Sequence, residues 1–183
     1  MRRLLPPLLC ALLSAPPVFG GSLDTTVTLP APRQPITATL HGPAAPGPAV
    51  LLLHGFTGSR DEMRIPAAEE GVFARTARHL ARAGLTSLRI DCRGSGDSTG
   101  RMSFADSDFE TQVEDVLLAL DWLRDRGYGP LHVIGWSQGG MVAALAAGRG
   151  AGVASVSLWN AVGEPMETYP RILGQEVIRR GLA

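Results

Sequence analysis

The chain has 183 residues, 45% of them hydrophobic and 19% charged, the balance of one globular domain with or without a leader. Seventeen basic residues cancel seventeen acidic ones, so the total charge draws the chain neither to nucleic acid nor to an anionic membrane. Every basic residue is arginine, which excludes a lysine nucleophile, a Schiff base and a P-loop lysine.

Met1-Arg2-Arg3 followed by the apolar stretch Leu4 to Phe19 reads as a secretory signal peptide cut near Gly20. A mature domain is therefore expected over 21–183, in a secreted or periplasmic protein. Pro6-Pro7 and Pro16-Pro17 interrupt the run and argue against a spanning helix. Cys10 leaves with that leader and Cys92 stands alone, so neither an intramolecular disulfide nor a cysteine metal site is expected. Cys92 reads as a passive thiol at a strand end.

Thr25 to Leu29 and Ile36 to Leu40 alternate in the manner of strands. Ala49 to Leu53 is continuously apolar, the mark of a strand buried on both faces of a parallel sheet. Val72, Phe73, Ala77, Leu80 and Ala81 recur at helical spacing up to Gly84, and Leu85 to Ile90 reads as the next strand. The clearest helix is expected from Asp108 to about Arg126, opened by a capping box of Ser107 and Glu110. Its apolar stripe is Phe109, Val113, Val116, Leu117, Leu120 and Leu123. Leu131 to Gly135 is a short buried strand, Gly139 to Gly148 a small-residue helix, and Val153 to Trp159 another strand. A last helix is expected over Arg171 to Arg180. Six strands alternating with helices in this way indicate an α/β fold, a mostly parallel sheet covered on both faces.

Such sheets carry chemistry in the loops at the carboxyl ends of their strands. Gly135-Trp136-Ser137-Gln138-Gly139 follows a buried strand and opens a helix, the context that gives a G-x-S-x-G sequence meaning. A turn this tight lifts the Ser137 hydroxyl out of the sheet, and a Cβ at Gly135 or Gly139 would meet neighbouring backbone. His54-Gly55-Phe56-Thr57-Gly58 follows the Ala49–Leu53 strand. Here the useful group is a backbone amide: the N–H of Phe56, paired with that of Gln138, would form a two-donor oxyanion hole. His54 itself reads as a structural residue of its loop. Asp91-Cys92-Arg93-Gly94-Ser95-Gly96-Asp97-Ser98 lacks the third glycine of a dinucleotide fingerprint and reads as a structural turn.

The stretches LLLHGFTGS, RIDCRGSGDSTG and HVIGWSQGGMVAALAAG, in this order, resemble the α/β-hydrolase superfamily. Within it they look most like cinnamoyl/feruloyl-type carboxylesterases and serine-aminopeptidase-like hydrolases. The resemblance implies Ser137 as nucleophile and the Phe56 and Gln138 amides as oxyanion donors. Those esterases usually carry His where this chain has Trp136, a change expected to alter packing at the elbow. The superfamily places its acid and then its histidine after the serine. Here His41, His54, His79 and His132 all precede Ser137. Glu164, just past the last strand, stands where some members carry their acid.

The expected function is therefore a secreted serine hydrolase of carboxylic esters, impaired because the chain is the N-terminal part of a longer enzyme lacking the last strands and the histidine base. A peptidase or thioesterase of the same machinery, or a non-catalytic binding fragment, are the alternatives. No metal or organic cofactor is implied. The expected partners are a small ester, amide or thioester substrate and, through an exposed sheet edge, a second copy of the chain.

Overall fold

A computed structural model of the protein describes residues 24–181, so the expected leader over 1–20 lies outside the described residues. Thr25–Leu29 (β1) and Ile36–His41 (β2) pair antiparallel, with Leu29 opposite Ile36. Ala49–Leu53 (β3) is buried at every position, as its unbroken apolar sequence requires of a central parallel strand. A two-stranded ribbon, Arg64–Ile65 (β4) with Glu70–Gly71 (β5), then leads into helix Val72–Arg82 (α1). The sequence reading passes over this ribbon, because two-residue strands carry no periodicity. Strand Thr86–Ile90 (β6), helix Phe109–Arg124 (α2), strand Leu131–Trp136 (β7), helix Gln138–Gly148 (α3) and strand Ser155–Trp159 (β8) complete the alternation.

The six strands of the main sheet lie in the order β1-β2-β6-β3-β7-β8, parallel from β6 to β8. Alternation along each central strand divides the core. Leu51, Leu53, Leu88, Ile90 and Val133 face Val113, Val116, Leu120 and Leu123 of α2 and Val142, Ala143 and Ala146 of α3. Val50 and Leu52 face the other way, onto Phe73 of α1, with Ile134, Trp136 and Trp159 packed around them. Trp136 thus spends its indole on packing beneath the elbow. Among the described residues β1 and β8 are the sheet edges, and Leu158 of β8 is half exposed.

Two local expectations are corrected. The cap of α2 is Asp108, whose carboxylate accepts from the Thr111 N–H at 2.7 Å, and the expected box of Ser107 and Glu110 does not form. Ser107 instead closes a preceding 3₁₀ turn, its N–H bonded to the Phe104 carbonyl, and the box sits on that turn between Ser103 and Asp106. Glu110 is drawn to Arg149 at the end of α3. The helix expected over Arg171 to Arg180 is two helices, Pro165–Leu173 (α4) and Gln175–Gly181 (α5), separated by Gly174 at φ 89°. Among the described residues no helix is long and apolar enough to cross a membrane.

Candidate active site

β7 and β3 end side by side, with Leu53 opposite Gly135, so the loops that follow them meet. Between β7 and α3 stands Ser137, with φ 51° and ψ −117°, a backbone conformation that an L-residue adopts only under constraint. The constraint is a web of main-chain hydrogen bonds. The Ser137 N–H donates to the Trp159 carbonyl at 2.9 Å, and its carbonyl accepts from Gly140 at 3.1 Å and from Val162 at 3.1 Å. Glycines make room for the turn. A Cβ on Gly135 would lie 2.3 Å from the Gly139 carbonyl oxygen, and one on Gly140 would lie 2.6 Å from the Ala161 Cβ. Strain held this way is released by glycine. Ser137→Gly is expected to be more stable than Ser137→Ala by about 1 kcal/mol, read from urea unfolding midpoints.

The loop after β3 lies against this turn: a Cβ on Gly55 would come 3.2 Å from the Ser137 Cβ. His54 is buried, and both its ring nitrogens are in use. Nε2 accepts the Cys92 N–H at 3.1 Å, so the proton resides on Nδ1, which donates to the Gly55 carbonyl at 2.9 Å. His54 is therefore a neutral strut between two loops. The Gly55 N–H donates to the Glu62 carboxylate, 3.1 Å from each oxygen. The next residue, Phe56, is exposed, its ring edge-on to Phe104 at 5.1 Å. Gln138, the first residue of α3, is buried, and its side-chain amide donates to Gln112 Oε1 of α2 at 2.9 Å.

The loop after β6 is a buttress. The carboxylate of Asp91, fully buried, accepts from the Arg60 N–H at 2.6 Å, from the Asp97 N–H at 2.8 Å and from the Arg60 guanidinium. A Cβ on Gly96 would stand 2.3 Å from its Cγ. A protein carboxylate thus occupies the hollow that an anion cradle would keep open, as suits a structural turn. Cys92 is buried, which pushes its thiol well above the usual range, with the Asp115 and Asp91 carboxylates adding to the effect.

No histidine ring bonds the Ser137 hydroxyl among the described residues. His41 on β2 pairs with Asp24 at 2.9 Å, and His79 lies exposed on α1. His132 at the start of β7 bonds Ser155 at 2.8 Å. It precedes Ser137 by five residues, about 16 Å along an extended strand. Glu164 is the N-cap of α4, its exposed carboxylate accepting the Met166 N–H at 3.1 Å. The structure thus brings together Ser137, Gly55, Phe56 and Gln138, and spends Glu164 on capping. Glu62 escaped the sequence reading. Its signal is a carboxylate seven residues beyond a loop glycine, which acquires meaning only when the loop folds back.

Residues 48–172 match the family model for the alpha/beta hydrolase fold. The search of curated proteins finds no match to the sequence. Among solved structures, an α/β hydrolase from Penicillium sp. sh18 aligns with TM-score 0.66 at 22% identity, covering 87% of this chain and 54% of its own. An esterase from Pyrococcus furiosus aligns with TM-score 0.63 at 19% identity, over 76% and 51% of the two chains. A dienelactone hydrolase from Anabaena variabilis aligns with TM-score 0.60 at 23% identity, over 76% and 64%. The chain therefore spans between about half and two thirds of the length of these structures. With a mostly parallel sheet, a serine turn between strand and helix, and a family match across most of its length, the chain belongs to the α/β-hydrolase family.

Proposed function

We propose that this chain carries the nucleophile and oxyanion hole of a serine hydrolase acting on carboxylic esters through an acyl-enzyme. The observation that carries this reading is Ser137 at φ 51° between β7 and α3, with the Gly55 loop packed against it. In the acylation step Ser137 Oγ forms a bond to the ester carbonyl carbon, and the carbonyl electron pair moves onto oxygen. The backbone N–H groups of Phe56 and Gln138, with the α3 N-terminus behind the latter, meet that charge. The serine proton passes to a base, and the alkoxide leaves with a proton from the same source. Water repeats the sequence to release the acid.

The base in this scheme is none of the four histidines, since His54 is committed at both nitrogens and the others lie on β2, α1 and the far end of β7. The chain by itself then retains only what the hole and substrate binding contribute, about 10³–10⁴-fold over water in enzymes stripped of their triad. Imidazole supplied from solution would restore the missing proton acceptor.

The test is labelling with a fluorophosphonate probe, read by mass spectrometry in parallel with hydrolysis of a short-chain aryl ester. Labelling of Ser137 is expected to be very slow in buffer and to rise with added imidazole, and to be absent from Ser137→Ala. Fast labelling without imidazole, lost in Ser137→Ala, would show a working base and overturn that part of the reading. A wild-type chain that imidazole leaves unlabelled would overturn Ser137 as nucleophile.

A further inference from the structure

The two amides of the proposed hole come from different loops, one after β3 and one after β7, and must point at a single oxygen. One side chain touches both residues. Tyr169, on α4, donates its hydroxyl to Gln138 Oε1, and its ring lies 5.4 Å from the Phe56 ring at 48°. The direction of the hydrogen bond follows from the neighbours. Gln138 Nε2 already donates to Gln112 Oε1, so Gln138 Oε1 is the acceptor that remains, and the tyrosine must give the proton. Burial raises the Tyr169 hydroxyl above its ordinary value, so it keeps that proton throughout the neutral range.

A continuous set of contacts thus runs from Gln112 on α2, through Gln138 and Tyr169, to Phe56 and Phe104. The Gln138 side-chain carboxamide is held at both ends, which orients the first turn of α3. Phe56 is 40% exposed, and its ring is held between Phe104 and Tyr169. α4 has no fully buried residue, and its Met166, Ile172 and Leu173 face solvent, whereas Tyr169 ties this helix to Gln138 and Phe56.

We propose that Tyr169 is a positioning residue for the oxyanion hole, fixing the Phe56 and Gln138 amides relative to one another and making the hole depend on the docking of α4. The inference rests on the assignment of those two amides as the oxyanion donors. An oxyanion donor acts only at hydrogen-bond distance from the developing charge, and its complete removal costs about 10²–10³ in rate. Loosening one donor by an unlatched side chain costs less, about tenfold.

Tyr169→Phe keeps the ring against Phe56 and deletes the hydroxyl; Tyr169→Leu removes both contacts. Two measurements on the full chain separate positioning from general stability. In imidazole-supported fluorophosphonate labelling of Ser137, Tyr169→Phe is expected to lower the maximal rate about tenfold and leave half-saturation by the probe unchanged, with a larger loss for Tyr169→Leu. In ¹⁵N relaxation, the Gln138 amide in Tyr169→Phe, and both Gln138 and Phe56 in Tyr169→Leu, are expected to fall from order parameters of about 0.85 towards 0.6. The β7 amides should be unmoved. Wild-type labelling rates together with unchanged order parameters would overturn the proposal. If imidazole leaves the wild-type chain unlabelled, the nucleophile assignment fails, and the order parameters still decide whether Tyr169 holds the two amides.

Discussion

Replacing Asp115 with alanine is expected to destabilise the fold by about 3–5 kcal/mol at neutral pH, the cost of breaking a buried ion pair from one side. Asp115 is fully buried in the middle of α2. Its two oxygens accept from the Arg93 main-chain N–H at 2.8 Å and from Arg93 Nε at 2.5 Å. Arg93 is itself buried, and its other donors go to the Pro32 carbonyl at 2.9 Å, the Thr111 carbonyl at 3.2 Å and Glu114. The truncation strips this cation of its one fully buried countercharge and orphans a backbone donor as well. A double variant, Arg93→Met with Asp115→Leu, is expected to cost less than Asp115→Ala alone, because neither charge then remains in the core. Urea unfolding of Arg93→Met, Asp115→Leu and the double closes the cycle.

The same carboxyl sets a pH dependence. Burial pushes it up to about 6 from an ordinary 3.8, against the pull of the Arg93 hydrogen bonds and charge. Between those two values the unfolded chain releases the proton while the fold retains it. The contribution therefore favours the fold at acid pH and is lost as pH rises to about 6, by at most about 3 kcal/mol. Asp115→Asn is expected to flatten this limb of the stability profile, as measured by unfolding midpoints across that range.

Gly139→Ala is expected to cost about 3–5 kcal/mol and to lower Ser137 labelling by 10²-fold or more. Its Cβ would lie 2.4 Å from the carbonyl oxygens of both Leu53 and His54 and 2.8 Å from the Leu53 carbonyl carbon. All three are backbone atoms. Leu53 is paired on both sides, to Ile90 of β6 and Gly135 of β7, and His54 is strutted by its ring, so neither can yield. The helix must move instead, carrying the Gln138 amide away from the loop of Phe56. Gly148→Ala, at the other end of α3, is the matched control. A Cβ there meets nothing within 4 Å, and the change is expected to be neutral or stabilising by up to about 1 kcal/mol from helix propensity. Thermal unfolding and labelling of the two variants separate the steric effect from any general intolerance of α3.

The legible parts of the fold were those coded by neighbours in the chain. Ala49–Leu53 announces a central strand through its unbroken apolar run, and the helical stripe from Val113 to Leu123 lies against the sheet as its spacing indicates. The turn at Ser137 is readable for the same reason: glycines flank it within four residues, between a buried strand and a helix. One local signal misled. Ser107 and Glu110 have the spacing of a capping box, yet the preceding turn had already engaged the Ser107 N–H, and the helix starts from Asp108.

By itself the sequence determined the alternating α/β plan, the serine turn at the end of β7, the use of arginine for every basic residue and the placing of all four histidines before Ser137. Only the tertiary structure decided the tautomer of His54, the burial of Asp115 against Arg93, the fold-back of Glu62 onto Gly55, and the meeting of Tyr169 with Gln138 and Phe56. The physical reason lies in the sheet order β1-β2-β6-β3-β7-β8. Periodicity and capping act over a turn or a strand and are written locally. A hydrogen bond between Gln138 and Gln112, or between Tyr169 and Gln138, joins side chains 26 or 31 residues apart, whose meeting depends on which strand ends lie together.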